Sequence, residues 1–141
     1  MERFLLLMNA LADRTRLRLL LSLRERELCV CKLVDFIDMA DSTVSRHMSI
    51  LKAAGLVESR KSGRWVHYRM TESQKGTLQR EILDVALRQL SSDPELTADA
   101  SRLRDLIERE DANACQEDSD SCSVAEVIEA RKRKGLDFQS K

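Results

Sequence analysis

Residues 41–70 read DSTVSRHMSILKAAGLVESRKSGRWVHYRM, and the first half of this stretch has the pattern of an amphipathic helix. Its apolar positions repeat at helical spacing: Val44, Met48 and Leu51. Asp41 or Ser42 is expected to cap the start of this helix, and Gly55 is expected to follow its end. The polar residues between the apolar positions therefore form an outward face.

The second half of the stretch changes from helical spacing to short strands. Residues 56–61 and 64–70 flank Ser62-Gly63, which predicts a β-hairpin with a glycine at its tip. Three helical patterns precede residue 41, at about 2–11, 13–23 and 28–39. This order of elements predicts a winged helix-turn-helix, a mainly α fold with a small β-hairpin.

A longer helix is expected from Thr71 or Ser73 to Leu90, and the single proline, Pro94, marks a break after it. Residues 1–92 are therefore expected to form the winged helix-turn-helix domain.

Residues 93–141 are expected to form a C-terminal extension that is partly flexible. Within it, apolar spacing predicts a helix over 96–109, whereas the acidic stretch at 111–123 has the composition of a flexible loop.

The chain has 141 residues, of which 43% are hydrophobic and 4% aromatic. This length suits one domain with an appendage and is too short for a two-domain enzyme. The sequence has neither an uncharged apolar run of about 18 residues nor a signal-peptide pattern, so we expect a cytoplasmic protein without membrane contact and with reduced thiols. It also lacks a glycine-rich phosphate loop and a Cys-x-x-Cys motif, which disfavours an enzyme.

The net charge is zero, but the charges are unevenly distributed. Residues 1–76 carry 14 Lys and Arg against 9 Asp and Glu, whereas residues 77–141 carry 10 against 15. The basic surplus is concentrated between residues 41 and 69, in the amphipathic helix and the hairpin. A local cationic surface is typical of a protein that binds nucleic acid.

The outward side chains of this helix and hairpin are the candidate contacts to double-stranded DNA. Arginine suits guanine in the major groove, Ser and Thr suit several bases or phosphates, and basic hairpin residues reach phosphates or the minor groove. The candidates on the helix are Ser42, Thr43, Ser45, Arg46, His47, Ser49 and Lys52. Those on the hairpin are Lys61, Arg64, His67 and Arg69.

Three segments together resemble the ArsR/SmtB family of metal-sensing transcriptional repressors. They are ALADRTRLRLLLSL at 10–23, ELCVCKL at 27–33 and the stretch quoted above. The resemblance, which covers about residues 4–90, implies a homodimer that uses the first helix and the helix ending at Leu90 as its interface. It further implies a repressor that leaves its operator when an inducer binds, with no cofactor permanently bound.

Cys29 and Cys31 form a Cys-Val-Cys motif at the start of the third predicted helix. Residues i and i+2 of an ideal helix lie about 200° apart around its axis, so one ion reaches both sulfurs only if the first turn unwinds. Because this helix supports the polar-faced helix, unwinding would link ion binding to DNA release. The alternative is that the two thiols are small hydrophobic residues of the core.

The resemblance implies As(III) or Sb(III) as the inducer, since family members with Cys-Val-Cys on this helix include arsenite and antimonite sensors. Many of these have a third cysteine at the position held here by Val34. Cadmium and lead sensors add thiols from an N-terminal extension, and this chain starts only a few residues before its first predicted helix. Cd(II) or Pb(II) is therefore the alternative inducer. Zinc and nickel sensors place His, Asp and Glu ligands on the long helix, and residues 72–90 contain no His.

Both histidines lie in the DNA-binding unit, so thiolates without imidazole partners are the expected ligands, a set that suits soft ions. Cys115 and Cys122, in the acidic segment, either complete the ligand set or are exposed thiols of a tail. A reversible disulfide, with oxidation rather than a metal as the signal, is a further alternative.

Overall fold

A computed structural model describes residues 1–72 and 76–114, which form six helices and a three-stranded sheet. The elements in chain order are α1 (Glu2–Leu11), α2 (Arg14–Ser22), β1 (Leu28–Cys29), α3 (Val30–Ile37), α4 (Asp41–Ala53), β2 (Val57–Ser62), β3 (Trp65–Met70), α5 (Leu78–Leu90) and α6 (Pro94–Ala114).

Helices α3 and α4 form a helix-turn-helix whose boundaries follow from local chemistry. Helix α3 ends at Ile37 and is capped by Asp38, whose φ of 57° lies in the left-handed region that Asp tolerates better than most residues. Helix α4 then packs against α1, α2 and α3. Its predicted apolar stripe, Val44, Met48 and Leu51, is fully buried. The amphipathic prediction for α4 is therefore confirmed, and its opposite face lies outward.

The predicted cap of α4 is wrong by one or two residues. Ala40 is the N-cap, because its carbonyl oxygen accepts from the backbone N–H groups of Thr43 and Val44 at 3.0 Å each. Asp41 lies in the first turn instead, where its carboxylate accepts a hydrogen bond from the Ser45 hydroxyl at 2.9 Å. The predicted helix end is confirmed, since Gly55 follows Ala54 with a φ of +72°.

The hairpin of β2 and β3 is confirmed, and β1 extends it into an antiparallel sheet of order β1-β3-β2. Leu28 pairs with Tyr68, and Cys29 pairs with His67. Residues 28 and 29 were expected to open the third helix, but two extended residues that pair with β3 precede its first turn. A two-residue strand has no periodicity of its own, so the sequence pattern did not reveal it.

The long helix α5 begins later than predicted. Thr77 is its N-cap, with the Thr77 hydroxyl oxygen accepting from the Arg80 backbone N–H at 3.4 Å. A helix starting at Thr71 or Ser73 would have to pass through Gly76, whose φ of +85° is incompatible with a right-handed helix. Residues 73–75 lie outside the described part of the chain.

Helix α6 is longer than predicted and packs against α2 and α3. Asp93 caps its start, because the Asp93 carboxylate accepts from the backbone N–H groups of Glu95 and Leu96 at 2.9 and 3.1 Å. The helix runs to Ala114, so residues 111–114 are helical rather than part of a loop. Strong helix formers between 95 and 114, with no Gly or Pro among them, explain the extension.

A partly buried ion pair attaches α6 to α2. The Arg18 guanidinium donates two hydrogen bonds to the Asp99 carboxylate, at 2.6 and 2.7 Å, and lies 5.9 Å from the centre of the Phe36 ring on α3. The hydrogen bond to Asp99 raises the pKa of Arg18 despite partial burial. Within the described ranges, none of the helices has both the length and the apolar character of a membrane span.

Candidate nucleic-acid interface and dithiol site

The outward face of α4 carries most of the predicted DNA contacts on this helix. Because the buried stripe fixes the rotation of α4, the polar positions between the stripe residues face solvent. The exposed candidates are Ser42, Thr43, Arg46, Ser49 and Lys52. Arg46 forms no ion pair with any residue that the structure describes. Its guanidinium is therefore available to an external acceptor.

Two of the predicted contacts on α4 are only half-exposed. The Ser45 hydroxyl donates to Asp41, as described above. The His47 ring turns toward the start of α2, where its Nδ1 lies 4.0 Å from an Asp13 carboxylate oxygen and is buried without a hydrogen-bond partner among the described residues. Asp13 itself caps α2 by accepting from the Arg16 backbone N–H at 2.8 Å. His47 thus lies between α4 and α2, and its contact with DNA stays a prediction.

The hairpin, hereafter the wing, presents a cationic tip. Lys61 and Arg64 are exposed and, within the described part of the chain, form no ion pair. Arg69 pairs with Glu58 across the two strands at 3.1 Å, which raises the pKa of Arg69. The ammonium of Lys52 donates to the Ser59 hydroxyl on β2 at 2.6 Å, so α4 and the wing are joined by a direct contact.

The two cysteines of the motif lie side by side, with their sulfurs 2.8 Å apart. Cys29 has extended backbone, φ −66° and ψ 148°, and ends β1, whereas Cys31 lies in the first turn of α3. Both side chains are buried. The expectation that α3 must unwind to bring the sulfurs together is wrong, because Cys29 lies outside the helix and the 200° separation of helical positions does not apply to it.

Cys29 shares its side of the sheet with a row of polar residues. Successive side chains on a strand alternate between the two faces, and residues directly opposite on antiparallel strands share a face. The register places Cys29, His67 and Arg60 in one row across β1, β3 and β2. The neighbouring row, which contains Leu28 and Tyr68, faces the core.

We call Glu27, Cys29, Arg60 and His67 the polar row. The carboxylate of Glu27 lies next to both Arg60 and His67. Glu27 accepts hydrogen bonds from the Arg60 Nε at 2.8 and 2.9 Å, and one Glu27 oxygen lies 4.0 Å from the His67 Nδ1. The hydrogen bond from Arg60 is the main cause that lowers the pKa of Glu27, and the charges of Arg60, His67 and Arg69 add to it. On the core side, burial raises the pKa of Tyr68.

The pairing of Cys29 with His67 was not expected, because Leu28 and Cys29 were assigned to a helix and not to a strand beside β3. The prediction of thiolate ligands without imidazole partners, which rests on both histidines lying in the DNA-binding unit, stays a prediction. In residues 1–72 and 76–109, no three His, Cys, Asp or Glu side chains converge as a ready-made ion site. Cys115 and Cys122 lie outside the described residues, so their predicted role stays untested.

Helices α1 and α5 expose large apolar side chains. The exposed fractions are 45% for Phe4, 56% for Leu5, 44% for Leu6, 41% for Leu78 and 48% for Val85. Apolar groups of this size on two helices are typical of surfaces that another protein covers.

The fold and the cationic face of α4 and the wing define a winged helix-turn-helix protein. Residues 13–59 match the family described as bacterial regulatory protein, arsR family. An HTH-type transcriptional regulator of Methanocaldococcus jannaschii is 40% identical over 67 residues, which cover 47% of this chain and 75% of the relative. The chain belongs to the arsR family of bacterial regulatory proteins.

Other relatives are named for metal and metalloid resistance. The arsenical resistance operon repressor of Escherichia coli is 47% identical over 66 residues, 46% of this chain and 56% of the relative. The cadmium resistance transcriptional regulatory protein CadC of Listeria innocua is 42% identical over 59 residues, 41% of this chain and 50% of the relative. The chain spans about half the length of several of the curated relatives it matches.

Solved structures of similar proteins have the same fold. HlyU from Vibrio cholerae has a TM-score of 0.55 and 26% identity, covering 64% of this chain and 95% of its own. A homodimeric winged helix-turn-helix DNA-binding domain from Mycobacterium bovis has a TM-score of 0.53 and 27% identity, covering 65% of this chain and 86% of its own. The predicted fold class is confirmed, and the family and relatives are regulators, which agrees with the prediction that the chain is not an enzyme.

Proposed function

We propose that the protein is a cytoplasmic, homodimeric transcriptional repressor that binds operator DNA and leaves it when As(III) or Sb(III) binds the thiolates of Cys29 and Cys31. The observation that carries the proposal is the 2.8 Å separation of the two sulfurs at the junction of β1 and α3. One ion can bind both sulfurs there without local unfolding, and this junction is joined to both halves of the DNA-binding unit.

DNA binding is assigned to α4 and the wing. The exposed polar side chains of α4 suit a major groove, and the cationic wing tip at Lys61 and Arg64 suits phosphates or the minor groove. The exposed apolar side chains on α1 and α5 support dimerisation through these helices, and one structural neighbour is described as homodimeric. A dimer would place two copies of α4 for two half-sites of an operator.

The two cysteines belong to different elements, and these elements connect the proposed ion site to the two parts of the DNA-binding unit. Cys29 is paired with the wing strand β3, while Cys31 belongs to α3, which packs against α4. One ion bound to both sulfurs would bridge β1 and α3, so its binding would constrain the wing relative to α4.

The identity of the inducer rests on donor chemistry and on relatives. Two adjacent thiolates favour soft ions, and three of the similar proteins are named for arsenic or arsenical resistance. The tail thiols, Cys115 and Cys122, are the proposed source of a third sulfur where As(III) takes three.

The test is an anaerobic titration of the protein on its own promoter DNA, followed by fluorescence anisotropy. Arsenite should release the wild-type protein, whereas Cys29→Ser and Cys31→Ser variants should bind DNA normally and stay bound. Ser22→Ala, at a buried position on α2, serves as the matched control for a small change in the core. If arsenite releases either cysteine variant from DNA as it releases the wild-type protein, the assignment of Cys29 and Cys31 as the sensor is wrong.

A second inducer is favoured by a specific observation, the similarity to CadC. Cadmium is therefore titrated in parallel, and release from DNA by cadmium alone would replace arsenite with a divalent ion as the inducer.

Oxidation is the remaining alternative, since adjacent thiols can form a disulfide. Release by arsenite under strictly anaerobic conditions excludes oxidation as the only signal. The Cys115→Ser/Cys122→Ser double variant then tests whether the tail binds the ion. If arsenite no longer releases this variant from DNA, the tail is a ligand donor.

A further inference from the structure

We propose that a cavity between α5 and α6 binds a small apolar carboxylate, that is, a ligand with one anionic group on a hydrocarbon body. The proposal uses neither thiol and goes beyond the proposed function by adding a second, separate site. Both helices lie beyond residues 13–59, the part of the chain that matches the family, so the family match implies nothing about this cavity.

The cavity has the size of a small-molecule site. Its volume is about 410 Å³, and such sites in proteins usually measure about 300–1,000 Å³. Its most buried lining residue is Phe36 of α3, which is 1% exposed. Apolar side chains of the two helices form its walls: Leu87 and Leu90 on α5, and Leu96, Leu103 and Ile107 on α6. A ligand body that fits these walls is a hydrocarbon.

The cavity lies on a different side of α5 from the exposed apolar face of that helix. Successive residues of a helix are rotated by about 100°, which places Leu87 and Leu90 roughly 120–200° around α5 from Leu78 and Val85. The proposed dimer contact uses Leu78 and Val85. A dimer formed through that face therefore does not need the cavity side of α5.

The charged residues that line the cavity favour an anion. Four arginines, Arg18, Arg24, Arg26 and Arg104, stand against two carboxylates, Glu25 and Asp99. Arg18 and Asp99 neutralise each other through their two hydrogen bonds. Arg24, Arg26 and Arg104 are exposed and form no ion pair with any residue in 1–72 or 76–109, which leaves three cations against Glu25. This cationic rim attracts the anionic group of a ligand whose body lies in the cavity.

The hydroxyl groups that line the cavity already donate within the protein. Ser22, Ser91 and Thr97 each donate to a backbone carbonyl three or four residues earlier, at 2.7, 2.9 and 2.9 Å. The rim arginines are therefore the side-chain donors that remain for a ligand. A single carboxylate takes those donors, and an otherwise apolar body leaves no polar group without a partner inside the cavity.

The experiment measures binding of decanoate to the full chain by displacement of anilinonaphthalene sulfonate, a fluorescent anion with an apolar body. Decanol has the same chain length without the charge and is the matched ligand. Ala100→Trp fills the cavity from an exposed lining position, and Ala98→Trp, at an exposed position of α6 outside the lining, is its control. Arg104→Gln removes one rim charge, and Arg102→Gln removes the same charge outside the cavity.

We expect decanoate to displace one dye molecule per chain, and decanol to do so at least ~5-fold more weakly. Arg104→Gln should weaken decanoate binding about 5-fold, the upper range for an exposed ion pair, and leave decanol binding unchanged. Ala100→Trp should abolish the displaceable dye binding, whereas both control variants should behave as the wild-type protein does.

Three results would overturn the proposal and leave the thiol sensor untouched. The first is a wild-type protein that binds no decanoate or binds decanol equally well. The second is decanoate binding that Ala100→Trp leaves unchanged, which would place the ligand elsewhere. The third is dye binding per chain that falls as the protein concentration rises, because a second copy of the chain would then cover the cavity.

Discussion

At the scale of single residues, Arg46 is the position that tests whether DNA binding is separate from ion sensing. It is exposed on α4 and, within the described residues, has no ionic partner, while the sulfurs lie on β1 and α3. We expect Arg46→Ala to weaken operator binding by about 1–3 kcal/mol, roughly 5- to 150-fold, whether it contacts a base or a phosphate. Anisotropy at fixed salt measures this loss, and arsenite affinity should be unchanged.

Arg102→Ala is the matched control for that prediction, because Arg102 is an exposed arginine on α6 and its removal changes the net charge equally. A similar loss of DNA affinity in both variants would mean that overall charge, rather than a contact by Arg46, governs binding.

At the scale of elements, the wing depends on the conformation of its tip. Gly63 has a φ of +61°, and a Cβ added there meets nothing within 4 Å, so Gly63→Ala introduces backbone strain without a clash. We expect a loss of about 1 kcal/mol in the free energy of unfolding, measured by urea denaturation. Ser62→Ala, at the end of β2, should change stability by much less. Equal losses in the two variants would contradict the role of the positive φ.

The elements that were predictable from the sequence are those with periodicity or local caps. The stripe of Val44, Met48 and Leu51 fixed α4, and Gly63 between two short runs indicated the hairpin. β1 was not predictable, since two residues have no period and their pairing with β3 joins residues about forty positions apart. The same cause hid the pairing of Cys29 with His67, which exists only through that strand.

At the scale of the whole molecule, the Arg18–Asp99 pair holds α6 on α2. The two side chains are 18% and 11% exposed, so removing one partner leaves a mostly buried charge. We expect Asp99→Asn to lower the free energy of unfolding by about 2 kcal/mol, less than for a fully buried pair. Asp84→Asn in the exposed Arg80–Asp84 pair should cost at most about 0.5 kcal/mol. Urea denaturation that gives equal losses would show that the attachment of α6 is weak.

Dimerisation is the remaining whole-molecule prediction, and the exposed apolar residues define its test. Leu5 on α1 is 56% exposed and Val85 on α5 is 48% exposed, so a glutamate at either position leaves the core of the monomer intact. If these helices form the interface, each glutamate buries an unpaired charge in the dimer, and we expect Leu5→Glu and Val85→Glu to shift the protein to monomer in analytical ultracentrifugation. Operator affinity should fall when the dimer is lost, because one copy of α4 reaches a single half-site.

Ala98→Glu, at an exposed position of α6, adds the same charge away from both helices and should leave the dimer unchanged. A dimer that persists in both interface variants would place the contact elsewhere on the molecule.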